Sequence, residues 1–209
     1  FVGYHVAGSM SIDFESFVLA AATADLADEP AAREHADAVE FRMDLATGDP
    51  LDAVAAYDGE LPLVATNRPA WEGGEAEAGS DRIAALRRAA EHDAVGAVDV
   101  ELAAVENGTA GDLVAHARDH GAAVVVSTHD FERTPHRDRL RELLADAGRV
   151  GDVAKLAVTA AGPGDVLDLL AATWDATTGG ETVATMAMGE AGRHSRAVAP
   201  LYGSTVGYA

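Results

Sequence analysis

The sequence predicts a single-domain (β/α)8 barrel, and three observations predict it. Eight short apolar runs, several rich in valine and nearly continuous, have the character of strands covered on both faces. Segments with helical spacing and caps alternate with them, as in parallel strands joined by helices. At 209 residues the chain is one domain on length and can bury a large core. A doubly wound open sheet is the competing arrangement, because a barrel typically takes about 250 residues.

The strand candidates are FVLAAA (17–22), AVEFRM (38–43), LPLVATN (61–67), GAVDVEL (96–102), AAVVVST (122–128), DVAKLAV (152–158), ETVATMAM (181–188) and, more weakly, STVGYA (204–209). Between the third and fourth, Ser80 is placed to cap residues 81–93, where Ile83, Leu86 and Ala90 share a face. WEGGEAEAGS (71–80) before it is expected to be a surface loop. Gly111 opens and Gly121 closes the next helical segment. Thr134–Pro135 is expected to start another, with Pro at the first helical position and Leu140, Leu143 and Leu144 as its buried stripe. Pro163–Gly164 precedes residues 165–176. The chain stops on the eighth strand candidate, so the eighth helix is expected to be missing. Met10 looks like a natural start, which assigns residues 1–9 to a non-native or disordered leader and 10–209 to the barrel.

Charge and composition exclude several classes of function. The net charge of −20 would repel a phosphate backbone, so no nucleic-acid partner is expected. With 48% hydrophobic residues the chain is too apolar for disorder, and the acidity belongs to its surface, as in halophilic proteins. There is no cysteine, which removes disulfides and thiolate chemistry. No apolar run approaches a membrane span and no secretory signal is visible, so the expectation is a cytoplasmic protein without a membrane partner. Of the 15 basic residues, 14 are arginine; Lys155, inside DVAKLAV, is the single lysine.

In a barrel, catalytic groups sit at the C-terminal ends of the strands. The polar residues there are Glu40, Arg42, Arg68, Glu72, Asp99, Glu101, His129, Asp130, Lys155 and Arg196. Lys155 among apolar neighbours should have a lowered pKa, making its free amine a nucleophile suited to a ketone. The alternative is a structural lysine at the rim, or one paired with Glu101. His129 follows VVVST and suits acid–base work; by itself it could equally be a core or capping histidine. Other histidines, His35, His92 and His116 among them, look like ordinary helix-surface residues. Arg42, Arg68 and Arg196 could each hold a carboxylate through paired donors, or balance Glu40, Asp44 and Glu72. No metal-ligand spacing stands out, and no glycine cluster matches a nucleotide-binding fingerprint. Gly189 to Gly192, beside Arg193 and Arg196, is a weak phosphate-loop candidate.

Five segments in order resemble type I 3-dehydroquinate dehydratases: EFRMD (40–44), RPAWEGG (68–74), DVEL (99–102) followed by VVSTHDFERTP (125–135), DVAKLAV (152–158) and MGEAGRHSR (188–196). The resemblance implies a lyase of aromatic amino acid biosynthesis, the shikimate pathway, from a halophilic archaeon. It implies 3-dehydroquinate as substrate, no metal or organic cofactor, and a homodimer. In it, Lys155 forms the Schiff base, His129 is the base and acid, and Glu72 orients His129. Arg196 binds the substrate carboxylate, while Glu40, Arg42 and Arg68 contact hydroxyls or shape the pocket. Three departures stand against the family pattern. Alanines near Ala20 replace a first-strand hydroxyl residue, Thr128 precedes the histidine, and the substrate-covering loop expected after the eighth strand is not in the sequence. The rival readings are another Schiff-base barrel of the class I aldolase kind, and a non-enzymatic barrel that binds a small anion.

Overall fold

Alternate residues of a strand face opposite ways, and in this chain the two faces carry different chemistry. The structure, a computed structural model, describes residues 10–209; the leader assigned to residues 1–9 lies outside the described residues. Its elements in chain order are β1 (Val18–Thr23), α1 (Glu29–Ala32), β2 (Ala38–Arg42), α2 (Pro50–Ala55), β3 (Leu63–Thr66), α3 (Ser80–Ala90), β4 (Val95–Glu101), α4 (Leu102–Glu106), α5 (Leu113–Asp119), β5 (Ala123–Asp130), α6 (Arg137–Gly148), β6 (Val153–Thr159), α7 (Pro163–Thr178), β7 (Val183–Met188), α8 (Ser195–Val198) and β8 (Val206–Tyr208). Every strand candidate is a strand.

The eight strands are parallel and ordered β7-β6-β5-β4-β3-β2-β1-β8. The ring closes through an isolated bridge between Val183 and Ser204, and the Thr205 N–H donates to the Val183 carbonyl at 2.8 Å. That contact distinguishes the barrel from the doubly wound sheet.

One face of the strands packs on the helices. Phe41, Leu63, Val98, Val126 and Leu156 meet Leu86, Leu113, Leu140, Leu144 and Leu169 in the outer core. The other face fills the barrel. Val64, Ala97, Val125, Val153, Ala184 and Val206 form an apolar inner layer, against which Ile12 and Phe14 pack. Two residues further along five of those strands come Thr66, Asp99, Ser127, Lys155 and Tyr208. The strand period therefore places the polar groups directly above an apolar floor.

Four helix starts differ from expectation: α5 begins at Leu113 rather than Gly111, α7 takes in Pro163 and Gly164, and α3 and α6 shift as well. Gly79, not Ser80, is the cap of α3, and Ser80 is its first residue. α6 starts at Arg137 after His136, because the Thr134 hydroxyl is spent on the Thr159 carbonyl at 2.9 Å, which ties residue 134 to the end of β6. The segment 71–80 is also more than a surface loop. A short turn of 3-10 helix, Ala70–Glu72, buries Glu72. Gly73 then reverses the chain with φ 79°, and a Cβ on Gly74 would lie 2.0 Å from the Arg68 carbonyl oxygen.

Candidate active site

The centre of the site is a buried ionic network. Lys155, on β6, donates to Asp99 Oδ2 at 2.9 Å and to Glu40 Oε1 at 3.2 Å. Glu40 Oε1 also accepts from the Thr66 hydroxyl at 3.0 Å. Arg68 is ion-paired with Asp99 at 2.8 Å and donates to Glu101 at 2.7 Å and to Ser127 Oγ at 2.6 Å. Arg82 closes the chain onto Glu101 at 2.6 Å. Lys155, Arg68 and Arg82 thus face Glu40, Asp99 and Glu101, all six buried. Such matching is what makes buried charges tolerable, because an unpaired one would cost several kcal/mol.

The pairing overturns one expectation from the sequence. Burial pushes the Lys155 ammonium down, but Asp99 and Glu40 together outweigh it and hold its pKa above the ordinary lysine range. The resting amine is therefore protonated. Of the apolar neighbours in DVAKLAV that suggested a lowered pKa, Ala154, Leu156 and Val158 belong to the strand's outer face, and Val153 lies in the apolar floor below Lys155. Nor does Lys155 pair with Glu101, which Arg68 and Arg82 occupy. Asp99 is also pushed up by burial, yet Arg68 and Lys155 reverse the effect and keep it ionised.

His129 lies on β5, which extends past the expected end to Asp130. Its Nδ1 is 3.2 Å from Glu72 Oε1, and the same oxygen accepts the His129 backbone N–H at 2.8 Å. Two contacts from one carboxylate fix the ring. Phe131 stacks on it with centroids 5.9 Å apart. Burial first, then Arg68 and Lys155, lower the His129 pKa well below its ordinary value, so the imidazole is neutral. Burial raises Glu72 to about 7, with Arg68 opposing.

The remaining candidates sit nearer the surface. Arg42 is held by Asp44 through Nε at 2.9 Å and Nη2 at 2.7 Å, the balancing role that the sequence left open for it. Arg196 is exposed on α8, and no carboxylate among the described residues pairs with it. Ser195 anchors that helix: its hydroxyl accepts the Ala187 N–H of β7 at 2.8 Å.

Sequence reasoning missed several members of the site. Asp99 was visible as a charged residue in a strand but was not assigned a role. Ser127 and Tyr208 gave only the strand period as a signal. The Tyr208 ring lies 3.9 Å from Lys155 Nζ, and its buried hydroxyl has no partner among the described residues. Arg82 was not singled out in the sequence, yet it is buried.

The arrangement offers an amine, a neutral imidazole oriented by a carboxylate, and an exposed guanidinium at the same end of the barrel. The chain is 58% identical to a 3-dehydroquinate dehydratase of Haloarcula marismortui over 95% of its own length and 87% of the relative's. It is 53% identical to one from Halobacterium salinarum, over 95% and 88%. The solved 3-dehydroquinate dehydratase of Geobacillus kaustophilus superposes with a TM-score of 0.82 at 28% identity, covering 93% of this chain and 82% of that one. Residues 16–209 match the model of the type I 3-dehydroquinase family, and the chain belongs to that family.

Proposed function

We propose that the chain converts 3-dehydroquinate to 3-dehydroshikimate and water through an imine on Lys155, a step of the shikimate route to aromatic amino acids. The observation that carries this reading is the single lysine, buried inside the barrel beside a neutral, carboxylate-oriented histidine. Family membership supports the substrate.

Lys155 rests as an ammonium, so a proton must leave Nζ before a C–N bond can form. Asp99 is a poor acceptor because Arg68 holds it ionised; Glu40, at 3.2 Å, is the other group in contact. The free amine attacks the C3 ketone, and loss of water from the carbinolamine gives the iminium. His129 takes the C2 proton while the C–H electron pair moves toward the iminium nitrogen. The imidazolium then protonates the C1 hydroxyl, which leaves as water as the new C=C bond forms. Hydrolysis consumes the water lost in imine formation and returns Lys155. Glu72 orients His129, and Arg196, without a partner among the described residues, binds the substrate carboxylate. Arg68 and Arg42 shape the pocket, since the contacts above engage their guanidinium groups, and Glu40 also faces the substrate.

Turnover of 3-dehydroquinate by wild type, Lys155→Met and His129→Ala tests the assignment. Both variants should lose at least about a hundredfold in kcat while remaining folded. Near-normal turnover by Lys155→Met would exclude the imine, and turnover of aldol substrates instead would favour the aldolase-like reading. A homodimer belongs to the same proposal on family grounds. Sedimentation equilibrium in molar salt tests it, and a monomer mass contradicts it.

A further inference from the structure

A second cluster lies at the other end of the barrel, where α3 and α5 run out before β4 and β5. Glu91, just past α3, and His116 and His120 of the α5 segment each offer one ligand atom, and these atoms lie within 4.8 Å of one another. The sequence places His116 and His120 four apart, one above the other on a helix, although His116 alone looked like an ordinary surface residue.

The hydrogen bonds set the state of each ring. His120 Nδ1 is 2.8 Å from the His116 carbonyl. A carbonyl only accepts, so Nδ1 carries the proton and Nε2 keeps its lone pair. A backbone carbonyl holding the far nitrogen is the arrangement that metal-binding histidines use. His116 Nε2 is 3.1 Å from Glu91 Oε1, and its Nδ1 is 3.3 Å from Arg87 Nη2. A surface histidine–carboxylate bond accounts for Glu91 and His116. It does not account for His120, whose ring lies 4.3 Å from that of His116 with no described partner at Nε2.

We propose that Glu91, His116 and His120 bind a divalent transition-metal ion, with Zn2+ as the first candidate, and so clamp α3 to α5. Two imidazoles and one carboxylate suit zinc, nickel or copper; calcium and magnesium prefer oxygen donors throughout. On binding, the ion takes the position of the proton on His116 Nε2, which moves to Nδ1. Arg87 then withdraws to Asp112, which already accepts from its Nη1 at 2.5 Å. The site is remote from Lys155 and adds stability rather than chemistry.

The test is a calorimetric titration of chelator-treated full chain with zinc sulfate at about pH 7.5. Wild type and His92→Ala should bind one equivalent, and saturation should raise the melting temperature by about 5 °C. His120→Ala and Glu91→Gln should weaken binding at least about tenfold, with 3-dehydroquinate turnover unchanged. His120 and Glu91 are exposed, so both variants should fold. Absence of binding in wild type, or binding of equal strength in His120→Ala, would overturn the proposal.

Discussion

Asp99 is the residue on which the site's electrostatics turn. It holds Lys155 and Arg68 at once and accepts from Ser127 at 2.6 Å. Asp99→Asn leaves two buried cations short of one charge and should cost about 3–5 kcal/mol, read from denaturant unfolding. A loss below about 1 kcal/mol would mean that the network is not held together as described. Glu72 carries a pH dependence of known sign. Its folded pKa of about 7 exceeds the ordinary 4.5, so the folded state binds more protons between those values. Stability from this group is therefore complete below about 4.5 and falls as pH rises toward about 7. Glu72→Gln should gain stability relative to wild type across that window, and a constant difference would contradict the burial argument. His129 works in the opposite sense: a histidine buried neutral keeps its ring uncharged as pH falls through 6.5, which its imidazole NMR shifts should report. These values were not legible along the chain, because they depend on burial and on partners such as His129, 57 residues from Glu72, and Lys155, 56 residues from Asp99.

At the scale of elements, valine-rich, nearly continuous apolar runs located all eight strands, and the strand period of two explains which residues meet inside. Helix starts were harder, because side chains such as Thr134 have partners outside their own segment. The turn after β3 was the least legible part of the site. Its composition, rich in Gly and Glu, matches a solvated loop, whereas its geometry delivers Glu72 to His129. Gly74 tests that geometry. Gly74→Ala forces a methyl against the Arg68 carbonyl and should cost about 1–3 kcal/mol, with a fall in kcat as Glu72 moves. Unchanged stability and kcat in this variant would show that the turn does not position Glu72.

For the whole molecule, the net charge of −20 is a solvent-side property, since the buried network is balanced within itself. The relatives from Haloarcula and Halobacterium fit a protein adapted to high salt. Unfolding free energy should rise between about 0.1 M and about 3 M salt as surface repulsion is screened, and equal stability in both would count against that adaptation. Among the described residues no helix is long and apolar enough to cross a membrane. Fold and family were legible in the sequence because they rest on spacing and short motifs. The protonation state of Lys155 was not, because it rests on Glu40 and Asp99 brought in from other strands.

The central claim is that Lys155 forms the imine, and borohydride trapping tests it most directly. The enzyme is incubated with 3-dehydroquinate and borohydride, and the modified peptide is mapped by mass spectrometry. A reduced adduct on Lys155, with activity lost in step, is the predicted result; turnover in a sample whose Lys155 stays unmodified would contradict it.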